Sequence, residues 1–480
     1  MKRIFITPFL FFSSYVFAQN LNNAKTYPEL HQSIEFTQVM LENDNPVRYL
    51  SFPKTTKLTY SQDIPSTQYL VRHINQAIMQ QQWDKIIDLL LQYQQQPNYD
   101  QSLVHYALAN FYYAKQDYSA AIYHYRTLLK QHPEIIYPRF DFAVTLFEDF
   151  QYPSATEQFQ QLLPTLSGLM QTLAQQYYAE LQKQQRWQMN VNFQYIQTDN
   201  VNQASSDKII ELNGKRFIKT PDSLPQKANG IKYQVEIQRL IALKDHHFIQ
   251  PELHYNGIYY WNNQDYNEQT FHIGLSYIYR QTFSSWQITP FIDKNWFGHS
   301  NYSHYIGSSF THYQTFLNKY SIQNQFSYTN KRYQDPLLAE RYNGHQYDAS
   351  TLLSWKISHS SLLFTGIGLQ RDLVKEKASS SRKWQIILGG QSLNHIVGHQ
   401  LTFRYSQRNF DAPHYIFQYE RKDKEYQIDY ALWSPKLVWK GFIPKLHFHY
   451  EQIDSNIPVF YQIRAVKLRP SGQRYKAQTA

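Results

Sequence analysis

The sequence predicts an α + β molecule in two parts: N-terminal helical repeats, then a 14-stranded antiparallel transmembrane β-barrel. Three observations predict it. The hydrophobic period is near 3.6 up to Gln185 and becomes 2 from Arg186 onward. Aromatic residues make up 17% of the 480-residue chain, with 41 Tyr, 30 Phe and 9 Trp, while only 18% is charged. Charge also divides with the period. Residues 19–185 carry 11 basic and 15 acidic side chains and residues 186–480 carry 34 and 22, so the net +10 of the chain resides in its second part. This aromatic content excludes a disordered chain, and the length allows about two to four domains. Cys is absent, which excludes a disulfide framework, a thiolate metal site and a cysteine-linked lipid.

Taken in order, residues 1–18 read as a signal peptide. Lys2 and Arg3 supply the charge, an apolar stretch follows, and Val16-Phe17-Ala18 resembles a cleavage site. Residues 19–66 carry Pro28, Pro46, Pro53 and Pro65 with little periodicity, and are expected to form a flexible lead segment.

Residues 67–185 are helical and repeat. Trp83, Tyr118 and Tyr152 align, followed three residues later by Ile86, Ala121 and Ala155, and seven later by Leu90, Tyr125 and Phe159. Nine residues before each stand Ile74, Ala109 and Ala143. Small residues let paired helices approach and aromatics fill the remaining gap, the logic of a tetratricopeptide array. Such arrays bind protein segments in a groove rather than catalyse. Tyr106, Asn110 and Tyr113 on a first helix are candidate groove contacts.

Residues 186–480 alternate. Ile273, Leu275 and Tyr277 share one face while His272, Gly274 and Ser276 occupy the other, and Leu401, Phe403 and Tyr405 alternate with Thr402, Arg404 and Ser406. Lipid outside and a wet lumen inside produce this pattern. Fourteen such segments run from 186–199 to 459–469, with short and long connections alternating through the first eleven gaps and breaking at 434–443. An even strand number puts both barrel ends on one side, so the repeats belong in the periplasm and 200–229, 334–343 and 412–420 face outward. The tail after Tyr461 loses alternation and carries Arg464, Lys467, Arg469, Arg474 and Lys476. It departs from the aromatic ending such barrels carry, so a weak last strand is expected.

No nucleophile, Walker, dinucleotide or zinc-protease pattern is present, so neither an enzyme nor a cofactor is expected. His447, His449 and Glu451 share a strand face and read as lumen side chains rather than metal ligands; His246 and His247 read as solvated turn residues. Asp199, Asn200 and Asn202 open the barrel in the run Asp-Asn-x-Asn-x-Ala, suited to tying a strand end through local hydrogen bonds.

A signal, a short tetratricopeptide segment, this Asp-Asn-x-Asn-x-Ala run and Ser455-Asn456-Ile457-Pro458 near the end, in that order, resemble the Slam family of surface lipoprotein assembly modulators over about 69–460. The resemblance implies an outer-membrane translocator that delivers lipoproteins, or related haem- or transferrin-acquisition proteins, to the cell surface. It implies as partners a surface lipoprotein or secreted haem-binding cargo, the outer-membrane insertion machinery and outer-membrane lipids, with no nucleic acid and a monomeric barrel. Two other readings stay open: a polysaccharide-export porin, and a surface adhesin or receptor using the basic 200–229 loop with Lys208, Lys215, Arg216, Lys219 and Lys227.

Overall fold

The computed structural model describes residues 66–480 except 203, 205–207, 213–214, 438–441, 458–459, 461, 466–468 and 475–480. The expected signal peptide, and the lead segment up to residue 65, lie outside the described residues.

Among the described residues, seven helices come first: α1 (Ser66–Met79), α2 (Trp83–Gln94), α3 (Gln101–Ala114), α4 (Tyr118–Gln131), α5 (Ile136–Glu148), α6 (Tyr152–Leu162) and α7 (Gly168–Gln184). The aligned aromatics Trp83, Tyr118 and Tyr152 each open the second helix of a pair. The turn before each is the same device. Gln81, Gln116 and Phe150 adopt φ of 57°, 64° and 61°. The next N–H then reaches back five residues, Gln82 to Ala77, Asp117 to Tyr112 and Gln151 to Leu146. This left-handed residue with its long return bond closes a helix C-terminus, usually with glycine. Here non-glycine residues hold the strained position three times, over-determined by packing on either side. Two of the helices carry a side-chain cap, α3 from Asp100 and α4 from Asp117, whose carboxylates accept from Ser102 N and Ala120 N. Ala109, Ala121, Ala143 and Ala155 are wholly buried where the helices cross, and Tyr125, Phe159 and Leu162 fill the space between them.

The strands follow: β1 (Gln188–Thr198), β2 (Ile209–Leu212), β3 (Lys215–Ile218), β4 (Ala228–Gln238), β5 (Ile241–Ala242), β6 (His247–Tyr260), β7 (Glu268–Arg280), β8 (Ser284–Phe297), β9 (Ser300–Phe316), β10 (Tyr320–Tyr333), β11 (Gly344–Ser358), β12 (Ser361–Val374), β13 (Ser381–Leu393), β14 (Gly398–Pro413), β15 (Glu420–Trp433), β16 (Phe442–Ser455), β17 (Gln462–Ala465) and β18 (Arg469–Arg474). From β6 to β16 each pairs antiparallel with the next, and β1 pairs with β4 and β4 with β6. β17 and β18 both lie against β16 and together form the fourteenth strand. β18 carries the ladder back to β1 through Asn192–Gln194 opposite Ser471–Gln473. Among the described residues that seam holds three residue pairs, against eleven between β1 and β4. Pro470, which has no N–H to donate, stands just before it, opposite Leu446 of β16.

Burial inverts at β1. Ile273, Leu275 and Tyr277 are 52%, 51% and 46% exposed, while His272 and Ser276 are buried. The same holds for Leu401 and Phe403 against Thr402, Arg404 and Ser406. An apolar exterior around a polar interior is stable only in lipid, which identifies a transmembrane barrel.

Three loops differ from expectation. The outward segment 334–343 contains a helix, α8 (Pro336–Tyr342), capped by Asp335 and tied by Arg341 to Glu376 at 2.9 Å. The 200–229 loop contains the β2–β3 hairpin. The β8–β9 connection, expected to be five residues, shrinks to a tight turn at Gly298, whose φ is 57°. A Cβ there would meet Asp265 O at 3.0 Å, so glycine is what allows the close approach.

Candidate functional site

The site consists of the repeat groove, the barrel mouth beneath it and the polar lumen beyond. On α3, Tyr106 donates to Asp141 Oδ2 of α5 at 3.0 Å, and Asn110 Nδ2 donates to the Tyr106 carbonyl at 2.9 Å. The three residues proposed from sequence are therefore not equivalent. Tyr106 and Asn110 form one polar unit, while Tyr113 packs its ring 5.6 Å from Tyr118. Sequence reasoning missed Asp141. It stands 35 residues after Tyr106, one position beyond Phe140, the Tyr106 equivalent of the next repeat, so the repeat register alone did not mark it. Burial pushes the Asp141 carboxyl up to about 6, against the downward pull of the Tyr106 hydrogen bond. Burial, followed by the Asp141 charge, pushes the Tyr106 phenol well above its ordinary value.

At the barrel start, Asn200 and Asn202 both bridge backbone. Asn200 Nδ2 donates to Ala204 O at 2.7 Å while its Oδ1 accepts from Ala204 N at 2.8 Å. Asn202 Nδ2 donates to Leu224 O at 2.8 Å and its Oδ1 accepts from Gln226 N at 3.0 Å. The two ends of the long first loop are thereby stitched together, which is local hydrogen bonding of the kind short amide side chains supply. Asp199 lies 3.8 Å from Lys227, both exposed, and contributes little.

The largest group that sequence reasoning missed joins the two parts. His246, expected in solvent, places Nε2 at 3.0 Å from Asp149 Oδ2 of the α5–α6 turn. Thr282 Oγ1 donates to Asp149 Oδ1 at 3.3 Å. The Arg280 guanidinium lies 3.7 Å from the centre of the Phe150 ring. Tyr152 meets Phe248 edge-on at 5.5 Å, and Asn318 Nδ2 donates to Gln116 Oε1 at 3.2 Å. Behind them, Arg239 Nε donates to Gln185 O at 2.8 Å, holding the segment between α7 and β1. The helical unit therefore sits on the β5–β6, β7–β8 and β9–β10 connections. A single aspartate takes its contacts from two of them.

Inside the barrel, opposite charges pair along the wall. Lys331 pairs with Asp372 at 2.5 Å, Lys383 with Glu425 at 2.6 Å and Arg421 with Asp423 at 2.7 Å. On β6–β8, His272 pairs with Asp293 at 2.5 Å and lies 3.6 Å from Glu252. On the strand face weighed for a metal, His449 Nδ1 sits 2.6 Å from Asp429 Oδ1. Among the described residues no group of three or more His, Asp and Glu is arranged to hold a metal ion.

Comparison with known proteins agrees with this plan. Residues 187–467 match the family described as surface lipoprotein assembly modifier, and residues 59–159 match that family's N-terminal tetratricopeptide repeats. Surface lipoprotein assembly modifier 1 of Haemophilus influenzae is 25% identical over 89% of this chain and 87% of its own length. The surface lipoprotein assembly modifier of Pasteurella multocida is 26% identical over 70% and 69%. The hemophilin secretion modulator of Acinetobacter baumannii is 22% identical over 82% of each. With its barrel and its repeats both matched, in the order in which they occur, the chain belongs to the surface lipoprotein assembly modifier family.

Proposed function

We propose that this chain, an outer-membrane barrel, carries a lipoprotein or a related haem- or transferrin-acquisition protein across the membrane to the cell surface. The observation that carries this reading is the docking of a protein-binding repeat array on the mouth of a polar-lined barrel. Tethering places captured cargo at high local concentration beside its exit. Short connections face the periplasm in outer-membrane barrels, and the helical unit grips short connections, so residues 67–185 form a periplasmic unit and residues 186–480 the barrel. Relatives named for surface lipoprotein assembly and hemophilin secretion support the cargo class. Tyr106, Asn110 and Asp141 line the receiving groove, and Asn200 and Asn202 brace the first outer loop. The work is passage rather than covalent chemistry and uses no cofactor. The barrel acts as a monomer, placed by the outer-membrane insertion machinery and held by outer-membrane lipids.

The test is surface display. A surface lipoprotein or haem-binding protein encoded beside this gene is co-expressed with the chain, and intact cells are treated with protease. Cleavage of the passenger only when the chain is present supports the reading. Equal cleavage in its absence overturns it.

A further inference from the structure

The helical unit reaches past the rim of the barrel. Phe248 shares its strand face with Gln250, Glu252 and His254, and Ile278 shares its face with His272, Ser276 and Arg280. By the pleat, all of these point into the lumen. Yet Phe248 and Ile278 are fully buried in the same cluster as Tyr152, Phe159 and Leu181 of the helices. The lumen wall turns apolar here, where a helical turn covers it. The leading element is the α5–α6 turn. Its tip, Phe150, lies at φ 61° and lays its ring on the inward-facing Arg280.

We propose that this turn is a stopper: Phe150 and its neighbours close the periplasmic mouth of the lumen at rest, and passage requires the helical unit to swing off the rim. The contacts suit a releasable closure. Its polar contacts include Asp149 with His246 and Thr282, and Gln116 with Asn318. Of these, the Gln116–Asn318 bond is exposed, and an exposed bond of this kind holds weakly. On the near side, Arg239 fixes Gln185 and packs 6.0 Å from the Trp187 ring, leaving a short anchored pivot between α7 and β1. The closure therefore has a held end and a releasable end.

Phe150 offers a clean variant. Glycine tolerates its positive φ, so Phe150→Gly removes the ring without straining the turn. The full-length protein is placed in planar lipid bilayers and the mean current is recorded, with heat-shifted gel mobility confirming a folded barrel. The native chain is expected to be almost silent, and Phe150→Gly combined with Asp149→Ala to carry at least about tenfold more current, as an unplugged polar lumen should. A native chain already as open as the variant, or a folded variant as silent as the native chain, overturns the stopper. A second arm rests on the transport reading. Because the chain has no cysteine, Gln116→Cys with Asn318→Cys gives a single pair for a short thiol crosslinker. Passenger display lost on crosslinking and intact before it supports the stopper, whereas display surviving full crosslinking refutes it. Absence of display before crosslinking counts against the transport reading instead, and the bilayer currents then decide on the stopper alone.

Discussion

The helical unit and the barrel obey opposite burial rules within one chain. In the helices, Phe159 and Leu162 are hidden and Tyr123 stands in solvent. In the barrel, Leu275 and Phe403 stand outside and Arg408 is wholly buried. Residue type alone says nothing about inside and outside. The surrounding solvent does, and it changes from water to lipid between α7 and β1. Where the two parts meet, Phe248 and Ile278 obey the helical rule although they sit on barrel strands.

Perturbations of each part should break this comparison in different ways. Phe159→Ala empties the centre of the helical core and is expected to cost about 3–5 kcal/mol of that unit's stability, read by urea unfolding, while heat-shifted mobility of the barrel stays unchanged. Leu275→Arg places a charge in lipid and is expected to cost about 2–4 kcal/mol in barrel refolding into vesicles. Tyr123→Arg, comparably exposed but in water, should stay within about 0.5 kcal/mol. Equal effects at 275 and 123 would mean that the outer face of β7 does not meet lipid.

Asp141 sharpens the comparison within the helices. Its carboxyl titrates near 3.8 when unfolded and at about 6 when folded, so the native state holds the extra proton between those values and loses stability as pH rises through them. Asp141→Asn removes that loss. The variant should gain about 2 kcal/mol relative to the native chain between pH 4 and pH 6.5, with no further change above, measured by urea unfolding at each pH. A constant difference across that range would show that Asp141 is not buried. A small effect is expected at Asn202→Ala. Loss of its bonds to the loop backbone should cost about 1 kcal/mol and show as faster proteolysis of the 200–229 loop, with little change in the barrel.

Much was legible in the residues. Alternation at 272–277 and 401–406 gave the strands and their two faces, because a period of 2 is written in neighbours. The 35- and 34-residue spacing of Trp83, Tyr118 and Tyr152 gave the helical pairs, each aromatic falling at a helix start. Loop interiors were not legible. α8 is only seven residues long, below what periodicity resolves, and rests on an N-cap and one ion pair. His246 was misread as solvated because its turn was correctly placed while its partner was not in view.

What the sequence by itself determined is each part's local order: the helical period, the strand alternation, and the inversion of polarity that requires lipid. These depend on residues a few positions apart, whose spacing the backbone geometry dictates. Only the tertiary structure decided how the parts meet. Asp149 and His246 lie 97 positions apart and Asn318 and Gln116 lie 202 apart. Nothing in either neighbourhood marks one as the other's partner. Such pairs form only when the barrel has brought successive short turns onto one rim and the repeats have aimed a turn at it.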